Sequence, residues 1–345
     1  MNKIIKYTLL SAFFLCSVLA CRKDKPIPEF VPDIDVDDDT SCYNFVETGP
    51  YLFYIVEENE QYLSPHLNPN NDNEFVYFYR NYSANKRQLI KYNMVTKHKQ
   101  ILVDDVLIIS RPKWSKKGWI AFDSYPDYNL WTIKDNGDSL TVFSSNTTHL
   151  HPVWDTSGDN LYWLHSTNLT FPHYYLKKGL YDSVVDTVLQ DGDANIGIAT
   201  YSDIKFDNKL LAITYINNKK DVAITDLNAI NFTSLVGNET VFGDVKPASV
   251  CWSNTEEFVY LSYANFGLYK HNVSTGSYDR LIEYCDSKYY GSLSCSSDGQ
   301  TLLVLRGDSY KKKDSLGNPV HPIHVKSSIY LIDLNTLVET KINLD

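Results

Sequence analysis

Val250-Cys251-Trp252-Ser253, followed after a short turn by Phe258-Val259-Tyr260-Leu261-Ser262-Tyr263 and then by Leu268-Tyr269-Lys270-His271, is the stretch on which the reading of the fold turns. A large apolar residue, preceded by an apolar residue or Pro and closely followed by Ser, Asp or Asn, introduces a β run. The same pattern recurs in Pro65-His66-Leu67-Asn68, Pro112-Lys113-Trp114-Ser115, Pro152-Val153-Trp154-Asp155, Ile204-Lys205-Phe206-Asp207 and Leu293-Ser294-Cys295-Ser296. The six anchors, Leu67, Trp114, Trp154, Phe206, Trp252 and Cys295, stand 47, 40, 52, 46 and 43 residues apart, the length of four short strands with their turns.

After each anchor comes a run rich in aromatic and branched residues, at 74–79, 119–123, 160–164, 210–215, 258–263 and 301–305, as strands require. A third strand is expected at 130–133, 222–225, 268–271 and 329–332. Trp131, Ala223 and Tyr269 each lie 17 residues past their anchors. A fourth closes most units, as at 99–103, 139–143 and 338–344. The fold class that follows is all-β, a six-bladed β-propeller of four-stranded blades.

These units resemble the WD40-like repeats of the TolB family, whose inner strand ends in an aromatic-Ser/Asp step before a turn such as Ser297-Asp298-Gly299. The resemblance covers about residues 60 to 345. It implies a propeller and a place in an envelope complex, while the motif residues are packing and turn residues shared by peptidase propellers, lyases and scaffolds. TolB proper also carries an α/β domain ahead of its propeller, for which the roughly forty residues before the first unit are too few, and it is soluble. A further run, Tyr51-Leu52-Phe53-Tyr54-Ile55-Val56, reads as a strand expected to pair with the last blade and cover its edge, or else to belong to the inner region of the first.

The beginning of the chain reads as an export signal. Lys3 and Lys6 precede an uncharged, mostly apolar run over 7–20, too short to span a bilayer, which ends in Val18-Leu19-Ala20-Cys21. That step resembles the lipobox of bacterial lipoproteins and makes Cys21 the acylated mature N-terminus. Residues 1–20 are then the signal peptide, 21–41 an acidic tether containing Asp33-Ile34-Asp35-Val36-Asp37-Asp38-Asp39, and 42–345 the single propeller domain. Cys21 is followed by Arg22-Lys23-Asp24-Lys25, without an acidic surface-export stretch, which favours the periplasmic face of the outer membrane. Losing the leader leaves 30 basic against 42 acidic residues, a net charge of −12 that argues against nucleic acid as the partner. Cys42, Cys251, Cys285 and Cys295 remain for oxidation in an exported chain. Their spacing is not that of a zinc site; Cys285 with Cys295 closes the shortest loop, and the pairing stays open.

No nucleophile elbow, His-Glu-x-x-His helix or phosphate-cradling Gly loop occurs, so no catalytic residue, metal ligand or cofactor is assigned. His149 and His151, two apart on a strand, have a spacing that can hold a metal, and His321 and His324 lie in a basic insertion over 308–326, expected to be a mobile loop. Three residues before each anchor stand Ser64, Arg111, His151, Asp203, Ser249 and Ser292, all polar; two before it the residues are mostly apolar. With period-two alternation the first set should line the channel and form a polar ring at one mouth, with Tyr125, Tyr128, Tyr201 and Tyr290 in or near adjoining loops. The function expected is a membrane-anchored envelope lipoprotein whose propeller binds a protein or peptide without catalysis. The alternative is a carbohydrate-active or metal-dependent propeller enzyme of polysaccharide-lyase type, or a glycan-binding protein.

Overall fold

The computed structural model describes residues 44–46, 60–104, 111–124, 129–145, 148–166, 173–182, 184–190, 196–206, 209–216, 219–226, 231–235, 247–263, 267–282, 288–313 and 319–344. A short strand, β1 (Asn44–Val46), precedes six antiparallel four-stranded blades, each formed by consecutive strands, and joins the sixth as a fifth, parallel strand. The first blade is β2 (Glu60–Asn68), β3 (Asn71–Asn81), β4 (Lys86–Asn93) and β5 (Lys99–Asp104), and the second is β6 (Lys113–Trp114), β7 (Trp119–Asp123), β8 (Leu130–Lys134) and β9 (Thr141–Ser144). The third is β10 (Thr148–Trp154), β11 (Asn160–Ser166), β12 (His173–Gly179) and β13 (Asp186–Gln190); the fourth is β14 (Ile196–Lys205), β15 (Lys209–Ile216), β16 (Lys219–Asp226) and β17 (Asn231–Ser234). The fifth is β18 (Pro247–Trp252), β19 (Phe258–Tyr263), β20 (Gly267–Asn272) and β21 (Tyr278–Ile282), and the sixth is β22 (Lys288–Cys295), β23 (Thr301–Lys313), β24 (Pro319–Asp333) and β25 (Glu339–Lys341). The inner strands pack round a ring in the order β2, β6, β10, β14, β18, β22 and back to β2. The all-β, six-bladed architecture read from the repeat is therefore the one observed.

The residue after each anchor shows why the repeat has its composition. Ser115 Oγ accepts the amide N–H of Trp119 at 3.0 Å, Ser253 Oγ that of Thr255 at 3.1 Å and Ser296 Oγ that of Thr301 at 2.9 Å; Asp155 Oδ1 accepts from Asp159 and Asn160. These buried side chains satisfy the backbone of the turn between the first two strands of a blade, where no ladder partner exists. Gly299 closes one such turn at φ +71°, and a Cβ there would meet the Asn254 side chain of the neighbouring blade at 2.3 Å.

The core is six seams rather than one interior. Each cluster of buried apolar residues joins two successive blades, as Leu211, Ile213 and Val222 join Val250, Trp252 and Leu261. The other five seams repeat the arrangement round the ring. The last of them, between Leu67, Phe75, Tyr77 and Tyr92 of the first blade and Leu303, Leu305, Ile329, Ile342 and Leu344 of the sixth, closes the ring. Closure is by packing, aided by Tyr92 Oη donating to the Asn343 carbonyl at 3.0 Å and by Asp72 accepting from the Ser297 amide at 2.8 Å.

The structure bears on three further readings. The terminal strand expected at 51–56 lies outside the described residues; β1 pairs parallel with the sixth blade at Tyr310–Lys312. The insertion at 308–326 is not a loop in its described part: β23 and β24 run on as a hairpin, with Asp308 opposite Lys326, Tyr310 opposite His324 and Lys313 opposite Pro319. Strand pairing continues because the insertion directly prolongs two strands already paired through Asp308 and Lys326, with one register shift between Tyr310 and Lys312. Cys251 and Cys295 are free thiols, and Cys285 lies outside the described residues.

Ile342 and Leu344 are buried in the closing seam, whereas Val338 is 58% exposed. Changing Ile342 or Leu344 to Ala is expected to cost about 2–4 kcal/mol each in urea unfolding, and Val338→Ala less than about 0.5 kcal/mol.

Candidate functional site

The inner strands build the channel, and their alternation decides what faces it. Pro65, Pro112, Pro152, Ile204, Val250 and Leu293, two before the anchors, are all buried. The residues on either side of them face inward. Inner strands of neighbouring blades share no β ladder, so the anchor amides need other acceptors. His66 Nδ1 accepts from Trp114 N–H at 3.3 Å, Asp203 Oδ2 from Trp252 N–H at 2.9 Å and Ser294 Oγ from Leu67 N–H at 3.2 Å. Ser249 Oγ accepts from the Leu293 amide at 3.1 Å in the same way. These bonds stitch four of the seams from blade to blade.

The polar set read from the sequence is divided by the structure. Arg111, His151, Ser249 and Ser292 come together round a narrow space of about 20 Å³, roughly enough for a single water. Asp203 faces a wider cavity of about 320 Å³, and Ser64 lines neither. Ser64, His151 and Ser292 have φ values of 51°, 57° and 50°, and in each the ladder to the next strand slips at that point, a β-bulge that re-aims the side chain. The bulge also breaks the flat-strand geometry supposed for His149 and His151. Among the described residues no three His, Cys, Asp or Glu side chains gather as metal ligands.

The wider cavity is lined by residues that the sequence reading passed over: His66, Lys113, Val153, Lys205, Cys251 and Ser294, one from each blade, each directly before its anchor. The signal was present, since the same alternation places them on the channel face. Their mixed chemistry hid it. Exposed Lys116, Asn254 and Ser297 stand at the rim of this cavity, while His66, Lys113 and Leu293 line both spaces. Of the expected tyrosines, Tyr290 is a core residue, 3% exposed, with its hydroxyl on Glu339 Oε1 at 2.9 Å. Tyr125 and Tyr128 lie outside the described residues, and Tyr201 is described in its backbone alone.

Burial governs the electrostatics of the ring. It pushes His66 down to about 3, helped by Lys113, and His151 down to about 3, helped by Arg111 and Lys113, so both imidazoles are neutral. Burial raises Asp123 to about 8, with Arg111 pulling the other way, and lowers the Arg111 guanidinium in turn. Asp203 is raised by burial, but Lys113, Lys205 and the Trp252 amide outweigh that and hold it below the usual carboxylate range. Burial also raises the Cys251 thiol well above its ordinary value and Cys295 to about 11, so neither is a thiolate at neutral pH.

The two histidines take up protons near 6.5 when unfolded but near 3 when folded. Their contribution to stability is thus whole above pH 6.5 and is lost as pH falls towards 3. In urea titrations between pH 7 and 4.5 the variant His66→Asn with His151→Asn should lose less stability than the wild type. The difference should be roughly 1 kcal/mol per pH unit or less, since the channel face is partly open to water. Asn keeps an acceptor for the Trp114 amide and tolerates the positive φ of residue 151. Asp123, whose penalty grows from pH 3.8 to 8, is common to both proteins and cancels.

No protein-family profile matches the sequence, and no curated protein is similar to it at the sequence level. Solved structures do match. TolB from Agrobacterium tumefaciens superposes with a TM-score of 0.54 at 12% identity, over 73% of this chain and 86% of that one. TolB from Acinetobacter baumannii gives 0.50 at 12% identity over 74% of this chain and 65% of that one. An oligogalacturonate lyase in complex with manganese gives 0.54 at 8% identity over 82% and 77%. At such identities the likeness carries the fold and not the function. The chain has the six-bladed, four-stranded β-propeller fold that TolB and related propeller proteins share.

Proposed function

We propose that the chain is an envelope lipoprotein, held by acylated Cys21 at the periplasmic face of the outer membrane, whose propeller binds a protein or peptide partner over the open end of its channel. The observation that carries this reading is the wider cavity: all six blades contribute to it, and exposed Lys116, Asn254 and Ser297 stand at its rim. A cavity of about 320 Å³ stands at the small end of ligand sites, which suits one inserted side chain or chain end better than a large ligand. The stitched inner strands make a rigid platform on which binding orders little of the receptor. The leader and the lipobox supply the anchor. Arg111, His151, Ser249 and Ser292 line the narrow space and Asp203 the wider cavity, whereas Ser64 lines neither.

Metabolic labelling with a fatty acid should mark the wild type and not Cys21→Ala, which should leave the membrane fraction. For the partner, crosslinking and pull-down from envelope membranes should compare the wild type with Thr156→Arg and Lys116→Glu, whose side chains line the outer part of the cavity away from the seams. One defined protein lost in the variant, with circular dichroism unchanged, is the expected result. Recovery of glycan in place of protein from both would favour the carbohydrate-active or glycan-binding alternative.

A further inference from the structure

Lys113 makes no direct polar contact in the channel, and Asp203 acts on it only through its charge, beyond ion-pair distance. Its ammonium makes no hydrogen bond and no ion pair within 4.0 Å among the described residues, although it lies deep in the ring and lines both spaces. Lys205, across the cavity, donates to the Ser253 carbonyl at 3.0 Å, and Asp203 Oδ2 accepts from the Trp252 amide at 2.9 Å. Three ammonium groups, Lys113, Lys116 and Lys205, and two carboxylates, Asp155 and Asp203, line one small cavity, leaving one positive charge in excess in a chain whose formal net charge is −10. His66 adds a donor: with Nδ1 accepting from Trp114 N–H, the neutral ring carries its proton on Nε2.

Lys113 is half-buried, a partly desolvated cation without an ion pair costs stability, and a surplus of one charge together with a neutral N–H donor matches one singly charged oxyanion. A phosphate dianion would overcompensate the site and meet Asp203. We propose that the cavity binds a single carboxylate group through Lys113, with His66 and Lys205 as neighbouring donors. This rests on the reading of the ring as a partner-binding platform, and assigns the group of the partner that enters the channel.

The test is a titration of the purified full chain followed by the fluorescence of Trp114 and Trp154, which line the cavity. The probes are propionate, tri-alanine with a free C-terminus, tri-alanine amide and inorganic phosphate, all at constant ionic strength. Saturable binding of propionate or tri-alanine is expected, at least tenfold tighter than the amide or phosphate. Tighter binding of tri-alanine assigns the group to a peptide C-terminus, and tighter binding of propionate to a small free acid. Lys113→Met should weaken carboxylate binding at least tenfold and at the same time raise the thermal midpoint, a pairing that mere structural damage would not produce. Lys97→Met, at an exposed turn, should change neither. Equal binding of acid and amide, of phosphate and carboxylate, or by wild type and Lys113→Met would overturn the proposal. If the pull-down partner is captured equally by wild type and Lys113→Met while no carboxylate titrates, this inference fails alone; if no partner is captured at all, the platform reading fails.

Discussion

Each blade can bury its two faces only against its neighbours, and everything else in this molecule depends on that. A lone four-stranded sheet would leave Trp252, Leu261 and Val259 in water; packed on the fourth blade they become one of six seams. The seams are face-to-face packings of twisted sheets without shared ladders, so the inner-strand amides are satisfied across the seam by His66, Asp203, Ser249 and Ser294. Losing one such acceptor would leave a buried N–H unpaired, which costs more than the bond itself is worth.

The same constraint governs closure. Among the described residues each blade's four antiparallel strands are consecutive in the chain, and no ladder joins the first blade to the sixth. The last seam must hold by side chains, with residues after β25 folded back over the first blade through Ile342, Leu344 and the Tyr92 hydroxyl. β1 lies elsewhere, along the prolonged hairpin of the sixth blade, where it covers an edge that would otherwise expose unpaired backbone groups.

Because the seams take up the anchors and the residues two before them, the channel wall is left to the alternate positions. These carry little of the packing and so vary in chemistry from blade to blade: an imidazole, two ammonium groups, a Val, a thiol and a hydroxyl stand at equivalent places. A propeller shared with TolB and with an oligogalacturonate lyase says nothing about which of these groups meets a ligand. Here the Lys113 ammonium, without an ion pair and kept at a cost in stability, marks where ligand chemistry enters.

The sequence by itself determined the six repeats, their four strands and the inward face of the inner strands, because turn-capping residues and period-two alternation are local and recur at fixed offsets. It also named Ser64, Arg111, His151, Asp203, Ser249 and Ser292 as channel residues, since they share one polar character. Only the tertiary structure decided that four of these line a narrow section, that Asp203 faces the wider cavity and Ser64 lines neither, and that Lys113, His66 and Lys205 shape the wider cavity. It likewise decided that Tyr290 is core, that Cys295 is free and that the insertion at 308–326 prolongs a hairpin in its described part. Width, bulges and pairing across seams depend on how six separate stretches of chain meet, and no local pattern in any one of them contains that distance.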